Sequence, residues 1–229
     1  MTQSANQIKV YLEVGQKRTF AGALDWPGWA RSGRDEDTAL LALYEAGPRY
    51  ARALSGSTLG FRTAVDVAHF TVVERLVGSA STDFGTPAAT PSADVDAVDA
   101  AALQRYEALL EACWGAFDAA VAAAADKELR LGPRGGGRQL EGIIRHVLGS
   151  DVGSLATLGW KLKQDEAADW RSELERIRKA IREALAAAAR GEIRARGPRG
   201  GVRTPPRYFV RDVAWHVLDH AWEIEDRLI

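Results

Sequence analysis

From Asp94 to the C-terminus, apolar residues return every third or fourth position in four separate runs, and that recurrence limits what the chain can become. The first run holds Val95, Val98, Leu103, Tyr106, Leu109, Leu110, Cys113, Phe117 and Val121, and predicts one long helix. The second, Leu140, Ile143, Ile144, Val147, Leu148 and Val152, predicts a helix over about Gln139 to Gly159. The third, Trp170, Leu174, Ile177, Ile181 and Leu185, predicts one over about Glu166 to Arg190, and the last runs from Tyr208 to Leu228. Glycine-rich and proline-rich breaks at Leu131 to Arg138 and Gly191 to Pro206 separate them. Each helix carries one apolar stripe that must be buried, and four such stripes satisfy one another in a four-helix bundle. The glycines at 142, 149, 153 and 159 weaken helix propensity but let helices approach closely.

The first third of the chain reads differently. Ile8 to Val14 alternates apolar and polar residues with β-branched and aromatic side chains, a strand signal, and Arg18 to Leu24 reads as a second strand closing a hairpin. Asp25 to Trp29 is a turn by its Pro-Gly pair, followed by a short strand around Ala30 to Ser32. Asp35 or Asp37 caps a helix reaching about Leu54, with Ala39, Leu40, Leu43, Ala46, Tyr50 and Leu54 as its stripe. Val65 to Leu76 reads as one or two more strands. Gly78 to Ser92 is small, polar and proline-containing, as linkers are. The expected fold class is α+β: an α/β domain over residues 1–80, a linker over 81–93 and a helical bundle over 94–229.

Charge narrows the partners. Lys+Arg of 30 against Asp+Glu of 31 gives a formal net charge of −1, with no markedly basic half, so nucleic acid is not an expected partner. One cysteine, Cys113, excludes a disulfide framework and fits a reducing cytoplasm. The N-terminus lacks a basic segment followed by an apolar run, and the most apolar run, Ala119 to Ala125, is too short to cross a bilayer. A soluble cytoplasmic protein without a membrane partner is expected; a homodimer stays open.

The chemistry-bearing residues are histidines. His216 and His220 stand one helical turn apart in the last run, so both imidazoles share a face. His146, three positions after Ile143 and one before Val147, sits on or beside the buried stripe of the second helix. Bundle interiors are where facing helices assemble metal sites, and three imidazoles suit Zn²⁺, Ni²⁺ or Fe²⁺. Spacing alone leaves a second reading equally in view, because a histidine on an apolar helix face also serves as a hydrogen-bonded core residue.

Two resemblances bear on this. VYLEV, FAGALDWPGWARSG and EDTALLAL resemble the N-terminal part of HicB-like proteins, which implies the fold of that unit; no basic helix-turn-helix or arm is present to imply DNA binding. One histidine in the second helix of a bundle, with His-x3-His in the fourth, resembles the DinB/YfiT-like superfamily. That resemblance implies that His146, His216 and His220 bind a divalent metal ion at one end of the bundle. It also implies a metal-dependent thiol S-transferase or related enzyme, with a low-molecular-weight thiol as cofactor and a small-molecule thiol or electrophile as partner. Two other readings stand beside it: a non-catalytic metal-binding bundle with a HicB-like interaction domain, and a metal-activated-water hydrolase using Glu223 or Asp219 as base.

Other residues are secondary. Asp219 and Glu223 read either as groups that orient an imidazole or as solvated surface carboxylates. Arg134, Arg138, Arg145, Arg207 and Arg211 offer contacts to an anionic substrate or thiol carboxylate, beside the reading that most of them are simply solvated. Trp160, Trp215 and Trp222 read as core or pocket wall, His69 as structural or surface, and Cys113 as a core residue without an activating neighbour.

Overall fold

The computed structural model describes residues 7–131, 137–165 and 168–229, and the chain is of the α+β class. It divides into two compact units, Met1–Asp96 and Ala97–Ile229. Among the described residues no helix is long and apolar enough to cross a membrane.

In the first unit, β1 (Ile8–Val14) and β2 (Thr19–Ala23) form an antiparallel hairpin with Leu12 opposite Ala21. The short β3 (Ala30–Gly33) extends it beside β2, and β4 (Phe70–Val77) pairs parallel to β1, giving the order β3-β2-β1-β4. A parallel pair needs a crossover, and it is supplied by the stretch containing α1 (Glu36–Ala53). Asp35, rather than Asp37, caps α1: its carboxylate accepts from Thr38 N at 2.8 Å while Thr38 Oγ1 accepts from Asp35 N at 3.1 Å. Trp29 anchors the core, donating from Nε1 to Leu43 O at 2.9 Å, and Tyr50 donates to Pro27 O at 2.8 Å, which ties the Pro-Gly turn to the helix. The buried face of α1 contains Gly47 rather than Ala46, because the Trp29 ring lies 3.4 Å from where a Cβ at residue 47 would stand.

Two stretches differ from the sequence reading. Val65 to Leu76 is not strand throughout: Val67–His69 is a 3-10 turn, and Asp66 Oδ1 takes the His69 ring nitrogen at 2.9 Å, a local bond that competes with the sheet ladder. Residues 81–93, read as linker, carry much of the one-and-a-half-turn helix α2 (Ala80–Phe84) and a 3-10 turn at Ser92–Val95. They are strapped to the sheet by carboxylates. Glu13, fully buried on β1, accepts from the N–H groups of Ala88 and Ala89 at 3.0 Å and from the Thr82 hydroxyl. Glu74 on β4 accepts from Ser92 N at 2.9 Å.

The second unit holds α3 (Ala100–Ala123), α4 (Leu140–Leu158), α5 (Trp170–Ala189) and α6 (Pro206–Arg227). Their apolar stripes meet in one core through Leu109, Phe117, Ile144, Leu148, Ile181 and Val213, all essentially buried. Caps set the helix ends. Asp99 accepts from Ala102 N at 2.7 Å, so α3 starts after Val95, which lies exposed in the preceding 3-10 turn instead of in the helix. Asp169 accepts from Ser172 N at 3.2 Å and starts α5 at Trp170; Glu166, where that helix was expected to begin, lies outside the described residues. Gly159, at φ +106°, ends α4 in the left-handed region.

Paired residues fix the directions. Arg207 reaches Tyr106 Oη at 3.1 Å near the starts of α6 and α3, and Leu129 bridges Leu228 beyond their ends, so these two helices run parallel. Ser154 to Asp212 at 2.8 Å sets α4 antiparallel to α6, and the pairs Arg178–Asp118 and Arg182–Glu111 set α5 antiparallel to α3. Helices α4 and α5 are therefore parallel. That arrangement brings the N-terminal part of α4 to the C-terminal part of α6, where the three histidines meet.

Candidate metal centre

His146 leaves α4 between the buried Ile144 and Val147; His216 and His220 leave α6 one turn apart, flanked by Trp215, Val217 and Ala221. All three are half-buried, and one ligand atom from each lies within 4.8 Å of the others. His146 Nε2 and His216 Nε2 are 3.3 Å apart. Two nitrogens each about 2.05 Å from a tetrahedral ion stand about 3.3 Å apart, so this pair has the length of one coordination edge. The rings do not stack. His146 and His220 are inclined at 86° and His216 and His220 at 77°, with centroids 4.9 and 4.5 Å apart, so the rings converge edge to face on a common region.

The third imidazole is oriented from behind. Glu223 Oε2 lies 2.8 Å from His220 Nδ1, while its Oε1 accepts from Arg227 Nη1 at 2.5 Å. Arg227 Nε donates to Arg130 O at 2.8 Å, which fixes the guanidinium. A carboxylate on Nδ1 retains the proton there and leaves the Nε2 lone pair for the cluster, the arrangement behind most metal-ligating histidines. The His220 bond, assisted by Arg227, holds the Glu223 carboxyl below its usual range.

Electrostatics keep the other two rings in the ligand form. Burial is the main cause that pushes His216 down to about 3, helped by the charges of His220, His146 and Arg138. His146 is lowered by burial, then by His220 and Arg138, against an opposing pull from Glu223. Neutral imidazoles with free lone pairs are what a borderline divalent ion takes, so the residues present fit Zn²⁺, Ni²⁺ or Fe²⁺. Among the described residues no hydrogen-bond partner meets the buried His216 Nδ1, so that ring has no orienting group of the kind Glu223 provides for His220.

The remaining sequence candidates separate clearly. Glu223 meets an imidazole in a hydrogen bond, and its engagement with both His220 and Arg227 gives it an orienting place. Arg145 is paired with Glu141 at 2.8 Å, Arg207 donates to Ala97 O and Tyr106 far from the histidines, and Arg211 is buried. Arg134 lies outside the described residues. Trp215 and Trp222 are buried and Trp160 half-buried. Cys113 is fully buried, and burial pushes its thiol far above the ordinary range. A cavity of about 440 Å³ opens among Val121, Leu140, Trp170, Leu174 and Arg178, and no histidine lines it.

Sequence reasoning missed two carboxyls inside the bundle. Asp151 on α4 is 2% exposed, and burial, reinforced by Asp212 and opposed by Arg178, pushes it up to about 8. Asp212, one turn before His216, accepts from Ser154 and is raised by burial as well. The four-residue step from Asp212 to His216 was the available signal, since it places both on one face of α6.

No family model matches this chain, and no curated protein or solved structure matches it either.

Proposed function

We propose that His146, His216 and His220 bind a divalent metal ion, and that the chain is a DinB/YfiT-like, metal-dependent thiol S-transferase or a related enzyme using a low-molecular-weight thiol. The observation that carries this reading is the 3.3 Å separation of His146 Nε2 and His216 Nε2 with His220 held beside them. A divalent ion bound there would lower the pKa of a thiol that reaches it, making a nucleophile available at neutral pH. The chain's own residues supply the rest: two imidazoles kept neutral by burial, a third oriented by Glu223, and Arg227 holding that carboxylate in place. The first unit fits a HicB-like interaction domain within the same cytoplasmic protein. Glu223 is already committed to His220 and Arg227, which disfavours its use as the base of a metal-activated-water hydrolase.

Elemental analysis of the purified protein is expected to find one divalent ion per chain, lost when all three histidines are changed to alanine; metal retained by that variant overturns the site. Conjugation of a thiol to an electrophile is expected with the cognate cofactor and should need His216. Metal binding with no reaction across panels of thiols and esters would leave the non-catalytic bundle as the function.

A further inference from the structure

Of the arginines placed for anion contact, Arg138 alone among the described ones is both exposed and without an ion pair to a described residue. It lies just ahead of α4, which starts at Leu140 after its cap Gln139, and residue 142 in the first turn, one turn before His146 on the same face, is glycine. The Arg138 side chain occupies the room this leaves, with Cβ, Cγ and Cδ at 3.1, 3.6 and 3.8 Å from where a Cβ on Gly142 would stand. On the other side, the Arg227 guanidinium lies against Gly137, with Nη2 2.9 Å from the corresponding Cβ position. Residues 137 and 138 therefore adjoin the Glu223–Arg227 pair that orients His220. Residues 142 and 146 are one turn apart, so a side chain lying over residue 142 stands about 6 Å from the His146 Cβ. The charge of Arg138 is close enough to act on both His146 and His216.

We propose that Arg138 is the anion anchor of the histidine centre, holding the carboxylate of a small thiol whose sulfur is presented to His146, His216 and His220. This rests on the metal reading above and names the substrate class for it: thiols that carry a carboxylate two or three carbons from the sulfur. A guanidinium matches a carboxylate in geometry as well as charge, so it selects for that group and not for thiols in general.

The test uses the full chain loaded with Co²⁺ and follows the sulfur-to-cobalt absorption band while 3-mercaptopropionate or 2-mercaptoethanol is added at low ionic strength. The wild-type protein is expected to bind the carboxylate thiol about tenfold more tightly than the neutral one, the effect of one charge-assisted contact. Arg138→Gln should bring that preference below about twofold with cobalt still bound at one ion per chain, and Arg138→Lys should retain part of it. Equal affinities in the wild type, or full preference in Arg138→Gln, overturn the anchor alone. Failure of both proteins to take up cobalt overturns the metal reading, and the anchor with it.

Discussion

Glu223 Oε2 lies 2.8 Å from His220 Nδ1, three residues back on the same helix, and its other oxygen is gripped by Arg227 a turn further on. The carboxylate thus sets both the tautomer and the rotation of an imidazole that spacing alone would leave free. Replacing it should weaken divalent-ion binding at the proposed site without touching any of its three histidines. Glu223→Gln is expected to lower divalent-ion affinity about 10- to 100-fold, the usual cost of losing such a partner, as read by competition with a coloured chelator. Unchanged affinity would show that His220 needs no orienting group.

An ion held by the folded cluster and not by the unfolded chain must stabilise the fold. At a free concentration one hundred times Kd the gain is about 2.7 kcal/mol, a shift of several degrees in Tm for a chain of this size. Thermal unfolding with Zn²⁺ and with a chelator should differ by that much in the wild type and by nothing in His146→Ala. Equal shifts in both proteins would place the ion elsewhere.

The three histidines were legible because they fall on strongly periodic helices, where a turn of 3.6 residues converts sequence spacing into a shared face. The bundle was legible for the same reason. Asp151 was not, because the run Leu148 to Leu155 contains two glycines and two serines, and its stripe points as well to Val152 as to the neighbouring position. The helix turns so that Asp151 is buried and Val152 half-buried. Nor was the strap over residues 81–93 legible: small polar residues look like a tether until Glu13, far away in sequence, collects their backbone N–H groups. Arg227 and Glu223 are a different case, since their spacing of four was readable but their partner His220 was needed to give it meaning.

Asp151 carries a pH signature. Its carboxyl is pushed from an ordinary 3.8 up to about 8 in the folded protein, mainly by burial. A raised pKa means that the folded state holds a proton that the unfolded state releases sooner. Stability from this group is therefore fully present below about pH 4 and declines as pH rises toward 8, and Asp212, raised by burial too, acts in the same direction. Asp151→Asn keeps the shape and removes the ionisation. Urea unfolding midpoints between pH 5 and 9 should fall in the wild type and fall less steeply in the variant, by the part left to Asp212, and the variant should be the more stable protein at pH 8.5. A parallel decline in both would assign the pH dependence to other groups.

Glu13 gives the sharpest test of how the first unit is closed. It is fully buried on β1, yet its two oxygens accept from the N–H groups of Ala88 and Ala89 and from the Thr82 hydroxyl, residues some seventy positions later. A buried carboxylate survives only when its acceptors are filled, and the donors in turn have no water to replace it. Glu13→Ala leaves those donors unpaired in the interior. At about 1–3 kcal/mol for each unsatisfied group, with partial relaxation, the loss should reach about 3 kcal/mol or more. The damage should also be local: residues 80–95 would lose their strap while the helices of the second unit remain. Limited proteolysis is then expected to cut the variant between Ala80 and Asp96 under conditions in which the wild type stays whole, with the helical circular dichroism signal largely retained. A variant cleaved no faster than the wild type in that stretch would mean that Glu74 and Asp83, which accept from Ser92 and Lys17, hold it unaided.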